Sequence, residues 1–189
     1  KRLGLAGIGI IQYYPGEISD TPKTDIDIIK CVMIKPNSVN ELNDLAARAR
    51  SRAEILMVHG GNYDINRAAC ENSMVDILCH PELGRRDSGL DHICVKAANE
   101  NEVAIEINFR EIVESYKKNR IYILSAMKKN IKLCKKYGAN IITTSDCEGA
   151  GETFNVSIPG ENFFQNQAYL TVSSQLQLEA LCAGMGPIY

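Results

Sequence analysis

The sequence predicts an α/β fold built on a parallel sheet, because Ile- and Val-rich runs alternate with amphipathic stretches along the chain. The runs are apolar almost throughout, as expected for strands that are covered on both faces. Strand, loop and helix follow one another at short intervals. This pattern permits either a closed barrel or an open, doubly wound sheet, and periodicity alone does not choose between them.

Six apolar runs are predicted as strands. They cover Ala6–Gln12, Ile28–Ile34, Ile55–Val58, Val75–Leu78, Val103–Ile107 and Asn140–Thr143. The first run contains Gly7-Ile8-Gly9, which begins like a dinucleotide-binding loop but lacks the third glycine and an acidic ribose partner. We therefore interpret it as a buried strand with small residues.

The first three predicted helices are placed by residues that cap helix ends. Ser38 and Glu41 have the spacing of a capping box and predict a helix to about Ala49. Two later helices are predicted from possible caps near their starts. The second begins at Asp64 or Asn66 and runs to Cys70, and the third follows Ser88 or Gly89 and runs to about Asn99.

A fourth predicted helix has the clearest amphipathic pattern and ends at Gly138. Its apolar residues recur at intervals of three and four, while lysines occupy the remaining positions. We expect the apolar stripe to pack on the sheet and the lysines to face solvent. The stripe consists of Ile121, Leu124, Met127, Ile131 and Cys134, and the lysines are Lys128, Lys129, Lys132, Lys135 and Lys136.

The regular alternation ends after Ser145. Residues 149–170 are rich in Gly, Asn, Pro and Phe and predict a long loop, and a final helix is expected over Ser173–Ala183. The length of 189 residues favours one domain that spans positions 1–189. The chain starts without methionine inside a running element, so we expect a segment upstream of it.

Charge is distributed unevenly although the net charge is only −2. The span Lys117–Tyr137 contains eight Lys and Arg and no acidic residue, whereas positions 138–189 contain no Lys or Arg. One surface should therefore be basic, and the distribution is more informative about partners than the sum.

The cysteines and the hydropathy pattern bear on the compartment. The seven cysteines form no CxxC pair, which fits neither a disulfide framework nor a zinc ribbon, so we expect reduced and mostly buried thiols. No apolar run is long enough to cross a bilayer, and no signal-peptide core is recognisable. We expect a cytoplasmic protein without a membrane partner.

Three histidines raise the hypothesis of a metal site. His59 and His80 end two predicted strands and His92 opens a helix, with Asp76, Glu82, Asp91 and Asp146 near them in sequence. The ends of barrel strands are where active sites gather. A polynuclear hydrolase needs several imidazoles and carboxylates that converge on its metals, and the chain has no HxH pair. Structural, hydrogen-bonded histidines are the favoured interpretation, and no metal site is predicted.

The segment 75–92 is the most informative about binding. A buried strand leads into a proline-marked turn, then into Arg85 and Arg86, and then into a helix start. Two guanidinium groups beside helical amides form a natural phosphate receptor. The alternative is a solvated loop in which these arginines pair with Asp87 or Asp91, and the local chemistry permits both interpretations.

Two further strand ends carry polar residues. Asn66-Arg67 follows one strand, and Glu106, Asn108 and Arg110 end another. Glu106 and Asn108 permit an acid/base interpretation. A hydrogen-bonded layer that orients loops at a barrel mouth is favoured over it.

Together these segments resemble component 3 of archaeal ribonuclease P, a family similar to the eukaryotic 30-kilodalton-class subunit. The resemblance covers most of Gly4–Asp146, and its motifs occur in the family's order and at similar spacing. The family's first strand is absent here, and positions 149–170 match nothing in it. The matching residues are Gly60-Gly61 with 65–69, then 75–78 with Pro81-Glu82 and 86–92, then 103–109, and finally Ser145-Asp146.

The resemblance implies a TIM-barrel-like α/β fold, incomplete at the N-terminus, that is related to polymerase and histidinol phosphatase domains without their full metal-ligand set. It implies a protein subunit of ribonuclease P with no catalytic residue and no cofactor of its own. In the family the RNA catalyses removal of the 5′ leader from precursor tRNA, using magnesium, so this chain would meet the precursor indirectly. The protein pairs with ribonuclease P protein component 2 and stabilises the RNA.

The basic residues at the predicted loops are the candidate RNA contacts. Arginine binds phosphate through two parallel hydrogen bonds and also stacks on bases, and lysine adds attraction to phosphate. The candidates are Arg67, Arg85, Arg86, Arg110, Lys117 and Lys118.

Two rival functions remain open at this point. One is a stand-alone metal-dependent phosphoesterase of the polymerase and histidinol phosphatase type that uses His59, His80 and His92. The other is a protein-binding module in which the Lys117–Tyr137 helix docks an acidic partner.

Overall fold

The computed structural model describes residues 7–18, 27–144, 146, 154–156 and 168–170. Six strands form one parallel sheet whose spatial order follows the chain, and two short strands form a separate antiparallel pair. The sheet consists of β1 (Gly7–Tyr14), β2 (Asp27–Ile34), β3 (Ile55–His59), β4 (Ile77–Cys79), β5 (Ala104–Asn108) and β6 (Ile141–Thr144). The separate pair consists of β7 (Phe154–Val156) and β8 (Ala168–Leu170).

The sequential strand order decides between the two architectures that periodicity left open. A doubly wound sheet reverses direction at a switch point, whereas barrel strands follow one another in chain order. Each of β1 to β5 pairs in parallel with the strand that comes next along the chain. The TIM-barrel-like α/β prediction is therefore confirmed, and the doubly wound alternative is wrong.

Five helices are described. Three of them link consecutive strands, and two lie in succession between β5 and β6. They are α1 (Val39–Arg50), α2 (Tyr63–Cys70), α3 (His92–Glu100), α4 (Phe109–Glu114) and α5 (Lys118–Tyr137). The short helix α4 was not predicted, because its six residues are too few to show a period of 3.6.

The predicted ends of α1 and α5 are confirmed. Ser38 is the N-cap of α1, and its hydroxyl accepts a hydrogen bond from the Glu41 amide at 3.2 Å. The Glu41 carboxylate accepts from the Asn37 amide instead of completing the reciprocal capping box. Gly138 ends α5 with a left-handed φ of 82°, and its N–H donates to the Cys134 carbonyl at 2.8 Å.

The caps of α2 and α3 differ from the predicted ones. Asn62 caps α2 through its side-chain oxygen, which accepts from the amides of Asp64 and Ile65. Asp91 caps α3 by accepting from Ile93 and Cys94. No described helix is capped by Asp64, Asn66, Ser88 or Gly89. Several Asn, Asp, Ser and Gly occur close together at both sites, so the composition alone does not identify the cap.

The sheet has two differently covered faces. Its outer face packs against the helices and forms the larger core, which includes Leu56, Leu78 and Ile105 of the strands and Leu42 and Val95 of the helices. Its other face, which we call the concave face, carries alternate residues of the same strands. A second buried cluster there consists of Cys31, Met33, Met57, Ile77 and Cys79.

Helix α5 starts one turn earlier than its apolar pattern, and its first turns do not pack on the sheet. Its buried residues begin at Ala126 and include Met127 and Cys134. Ile121 is 67% exposed and Leu124 is 37% exposed. The predicted apolar stripe therefore packs only in the second half of the helix, and its prediction for the first half is wrong.

The C-terminal predictions are only partly within the described residues. The strands β7 and β8 lie within positions 149–170, where a loop was predicted, and the helix predicted over Ser173–Ala183 lies outside the described residues. A single domain over 1–189 stays a prediction. Five cysteines are buried and reduced as predicted, namely Cys31, Cys70, Cys79, Cys94 and Cys134. Within the described ranges, no helix has the length and hydropathy of a membrane span.

Candidate nucleic-acid interface

The carboxyl ends of β3, β4, β5 and β6 meet at one edge of the sheet because these strands are parallel neighbours. The loops that leave this edge carry the motifs singled out in the sequence. His59 ends β3, His80 follows β4, Asn108 ends β5 and Asp146 comes shortly after β6. In barrel folds this edge holds the functional site, and the opposite edge contributes stability.

A buried polar layer lies on the concave face at this edge. The Glu106 carboxylate accepts a hydrogen bond from the His80 backbone amide at 2.8 Å and also accepts from the Thr144 hydroxyl. The Asn108 amide donates to the Asp146 carboxylate at 3.1 Å. Glu106 and Asn108 thus connect the ends of three neighbouring strands, as the favoured loop-orienting interpretation predicted.

Glu106 and His80 form a buried ion pair in this layer, with Oε2 and Nδ1 3.3 Å apart. Burial raises the pKa of Glu106, but the hydrogen bond and charge of His80 outweigh burial and leave the pKa below its ordinary value. Burial likewise lowers the pKa of His80, and Glu106 outweighs it, so that the pKa lies above its usual range. The Glu106 pKa is lowered and the His80 pKa is raised, and both shifts favour the charged form of the group because each charge stabilises the other.

The structure does not bring the three histidines together. His59 and His80 contact each other edge to face, with ring centroids 4.4 Å apart. His92 begins α3 in the helical layer, where its ring centroid lies 6.4 Å from that of Tyr137. Asp76 precedes β4 at the opposite edge and forms an ion pair with Arg50. Within the described residues, no group of three or more His, Cys, Asp or Glu is arranged to hold a metal ion.

Asn66 joins the loops that follow β3 and β4. Its side chain is completely buried, and its amide nitrogen donates to the carbonyls of Pro81 and Gly89, each at 2.9 Å. Its side-chain oxygen accepts from the Gly61 amide at 3.0 Å. At Gly89 a Cβ would lie 1.9 Å from the Pro81 carbonyl oxygen, so only glycine fits this close approach.

Neither the helix start predicted at Asn66 nor its position beside Arg67 after a strand predicts this role. One signal was available. Asparagine has a low helix propensity, and Asn66 lies four positions before Cys70 among apolar residues of α2. A side-chain amide that is buried there needs hydrogen-bond partners outside the helix.

Three of the six candidate RNA contacts form ion pairs with acidic residues. Arg67 is half exposed on α2 and pairs with Glu71 at 2.8 Å. Arg85 binds both carboxylate oxygens of Asp87, at 2.7 and 2.9 Å. The same hydrogen bonds hold the pKa of Asp87 at about 2. The alternative in which an arginine of this loop pairs with Asp87 is therefore correct for Arg85.

Arg85 and Arg110 also cross between neighbouring loops. Arg85 donates to the Gly61 carbonyl at 3.3 Å, which links the loop after β4 to the loop after β3. Arg110 pairs with Glu114 at 2.6 Å and donates to the Asp146 carbonyl at 3.1 Å, which links the residues after β5 to those after β6. Both arginines thus stabilise the loop edge as well as contributing charge to it.

The remaining three candidates are exposed. Arg86 lies in the loop after β4, and Lys117 and Lys118 lie at the start of α5. The Lys117 ammonium lies 5.1 Å from the centre of the Tyr116 ring. These three side chains present positive charge to solvent.

These features define a barrel-type α/β protein. Its parallel strands follow chain order, a hydrogen-bonded polar layer lies at their carboxyl ends, and the loops there carry basic residues. The family model for RNase P subunit p30 matches residues 2–155. The chain belongs to the RNase P subunit p30 family.

Similarity to individual proteins agrees with this assignment. Ribonuclease P protein component 3 of Methanococcus maripaludis strain C7 is 39% identical over 169 residues, which cover 85% of this chain and 72% of the relative. The component 3 of Methanothermobacter thermautotrophicus is 32% identical, with 85% of this chain and 69% of the relative covered. A chain in a cryo-EM structure of archaeal ribonuclease P with mature tRNA superimposes with a TM-score of 0.67 at 32% identity, covering 78% of this chain and 68% of that one.

Proposed function

We propose that this chain is a protein subunit of ribonuclease P that binds and stabilises the catalytic RNA, which removes the 5′ leader from precursor tRNA. The observation that carries the proposal is the set of basic side chains at the strand-end loops, which hydrogen bonds between neighbouring loops hold in place, in a member of the p30 family. Preorganised loops bind RNA without first losing conformational freedom. The chemistry belongs to the RNA and its magnesium, and no residue of this chain is assigned a catalytic role.

The six basic residues divide into two groups in this proposal. Arg86, Lys117 and Lys118 are exposed and provide direct phosphate contacts. Arg67, Arg85 and Arg110 are paired with carboxylates, so they contact RNA only with the part of the guanidinium that the pair leaves open. Arg85 and Arg110 therefore act mainly by fixing the loops that present the other cations.

The partners follow from the same proposal. They are the ribonuclease P RNA, ribonuclease P protein component 2 and, through the RNA, precursor tRNA. A cytoplasmic location belongs to this proposal as well. A polyanionic RNA is compatible with the acidic net charge of −2, because the exposed Arg86, Lys117 and Lys118 concentrate positive charge locally.

The test is reconstitution. Ribonuclease P RNA is combined with component 2, with and without this chain, and cleavage of precursor tRNA is measured in magnesium. We expect a higher cleavage rate, or cleavage at a lower magnesium concentration, only when both proteins are present. No change on addition of this chain would overturn the proposal. Cleavage by the chain without RNA would favour the phosphoesterase alternative.

A further inference from the structure

An exposed apolar patch lies where α4 and α5 meet. Nine large hydrophobic residues are exposed in the described part of the chain, and five of them fall between positions 113 and 124. We define these five as the α4–α5 patch. They are Val113, Tyr116, Ile121, Tyr122 and Leu124, with exposures of 49%, 72%, 67%, 54% and 37%.

The patch is held together by the geometry of the helix junction. The Arg120 guanidinium donates to the carbonyls of Ser115 and Val113, at 3.0 and 3.3 Å, and so fastens the end of α4 to the first turn of α5. Ile121 and Leu124 are three residues apart and lie on one side of the helix. These two side chains are therefore neighbours, and the other three members of the patch lie at or next to the junction that Arg120 fastens.

The first two turns of α5 lack core packing. Of the eight residues Lys118–Ser125, only Ile123 is not exposed. This segment continues into the packed second half of the 20-residue helix α5, so it is helical although its own apolar side chains stay in water. Exposed apolar patches with polar rims on soluble proteins commonly mark interaction sites. The patch is therefore a surface that a partner would cover.

The charge next to the patch indicates the chemistry of the partner. Lys128, Lys132 and Lys135 continue the row that Ile121 and Leu124 begin on the exposed side of α5, and all three are exposed. A partner lying along the helix would meet apolar side chains over its first half and ammonium groups over its second half. An acidic segment that also carries apolar side chains complements both halves.

Two observations favour a protein over RNA at this patch. Three of its five members are aliphatic, and aliphatic side chains do not provide the stacking platforms that bind single-stranded RNA. The Lys117 ammonium lies over the Tyr116 ring at 5.1 Å, so it occupies a face on which a base would stack. The lysine row alone would attract either partner.

We infer that the α4–α5 patch, extended by the lysines of α5, is the docking surface for an acidic, apolar segment of a protein partner. The inference rests on the proposed function, in which ribonuclease P protein component 2 is the protein partner, and that protein is the probe. It adds the surface and the chemistry of the contact to the proposed function.

The test compares charge-neutral variants of the full chain. Ile121→Ser with Leu124→Ser removes apolar area and keeps the charge, so we expect affinity for component 2 to fall about tenfold or more by calorimetry. Binding to ribonuclease P RNA should be unchanged. Val39→Ser is the matched control, since Val39 is 39% exposed at the start of α1, away from the patch. Circular dichroism verifies that each variant is folded.

A second measurement uses the unmodified chain. Amide hydrogen exchange of Lys118–Ser125 should slow when component 2 is added, because docking protects the helical hydrogen bonds. A variant that replaces Lys128 and Lys132 with Gln should bind component 2 with a weaker dependence on salt.

Three results would overturn the inference. In the first, the double serine variant binds component 2 with unchanged affinity and component 2 does not slow amide exchange of Lys118–Ser125. In the second, the double serine variant loses RNA binding and keeps component 2 binding. In the third, the unmodified chain self-associates and the double serine variant does not. Failure of the proposed function looks different, since the unmodified chain would then not support cleavage. Normal cleavage with an unaffected serine variant would contradict only this inference.

Discussion

The side chains of Glu82 and Asn130 meet in the buried layer between the loop after β4 and helix α5. The Asn130 amide nitrogen lies 3.5 Å from Glu82 Oε2 and donates to the Ser88 carbonyl at 2.9 Å. Glu82 Oε1 and Asn130 Oδ1 are both buried and have no hydrogen-bond partner among the described residues. A proton on Glu82 would convert one of these two unpartnered acceptors into a donor.

Glu82 therefore makes stability depend on pH. Burial raises its pKa from 4.5 to about 7, more than the backbone hydrogen bond lowers it. The folded protein then holds a proton that the unfolded chain releases between these two values. The contribution of Glu82 to the free energy of unfolding consequently falls as the pH rises from 4.5 to 7, by up to about 3 kcal/mol, and is constant above that window.

Glu82→Gln should remove this pH dependence. Glutamine is neutral at every pH and can donate from its amide to Asn130 Oδ1. We expect urea unfolding to show the variant more stable than the parent by up to about 3 kcal/mol at pH 8 and by much less at pH 5. Glu100→Gln, on the exposed end of α3, controls for loss of one negative charge. A difference of equal size at both pH values would contradict the assignment.

Breaking the Glu106–His80 pair should destabilise the protein strongly. Glu106→Gln leaves a buried imidazolium without its carboxylate, and losses of about 3–5 kcal/mol are typical of such changes. The pKa of His80 should fall in the variant, as followed by NMR of the imidazole protons. If the His80 pKa stays where it is, Glu106 is not the group that raises it.

The pH window of this pair follows from the two shifts. The raised pKa of His80 contributes stability that is present below about pH 6.5 and is lost as the pH rises through its folded-state pKa. The lowered pKa of Glu106 contributes stability that is present above about pH 4.5 and is lost at more acidic pH. The stability difference between parent and Glu106→Gln should therefore be largest between these values.

Removal of the Asn66 side chain should loosen the loop edge. Asn66→Ala leaves the Pro81 and Gly89 carbonyls and the Gly61 amide without their partner, so we expect a loss of about 3 kcal/mol in unfolding free energy. Asn43→Ala is the control, because Asn43 is exposed and its side chain contacts only Asn72 in the described hydrogen bonds. Thermal unfolding of both variants measures the difference, and equal midpoints would argue against Asn66 as the link between these loops.

The sequence predicted the features that depend on local pattern. Strands appeared as apolar runs and matched the observed positions within about two residues, and Ser38 and Gly138 marked helix ends because their roles depend on backbone geometry close by. The failure at Ile121 and Leu124 has a different cause. A period of three and four shows that one side of a helix is apolar, but it does not show how far along the helix the sheet extends beneath it.

The candidate site was predictable in residue type but not in pairing. The positions of Arg85 and Arg110 beside strand ends were evident, whereas their contacts with Gly61 and Asp146 join segments that are 24 and 36 residues apart in sequence. Asn66 and the Glu82–Asn130 pair were missed for the same reason. Buried hydrogen bonds between distant segments leave no periodic signal in the chain.

The difference between paired and exposed arginines leads to a prediction about RNA binding. Arg86→Ala should flatten the dependence of RNA affinity on salt by about one unit in the log–log slope, since an exposed guanidinium that contacts one phosphate releases about one counterion. Arg85→Ala should change the slope less and reduce the affinity at all salt concentrations, because its guanidinium already binds Asp87 and Gly61.

Filter binding to ribonuclease P RNA over a range of salt concentrations measures both slopes. Arg48→Ala is the matched control, because Arg48 is an exposed arginine near the end of α1, which leads to the opposite edge of the sheet, and it pairs with Asp44 much as Arg67 pairs with Glu71. The control should leave the slope unchanged. If Arg86→Ala also leaves the slope unchanged, Arg86 makes no phosphate contact and the loop after β4 serves only to join its neighbours. If all three variants flatten the slope equally, the effect reflects total charge and not the position of these residues at the strand ends.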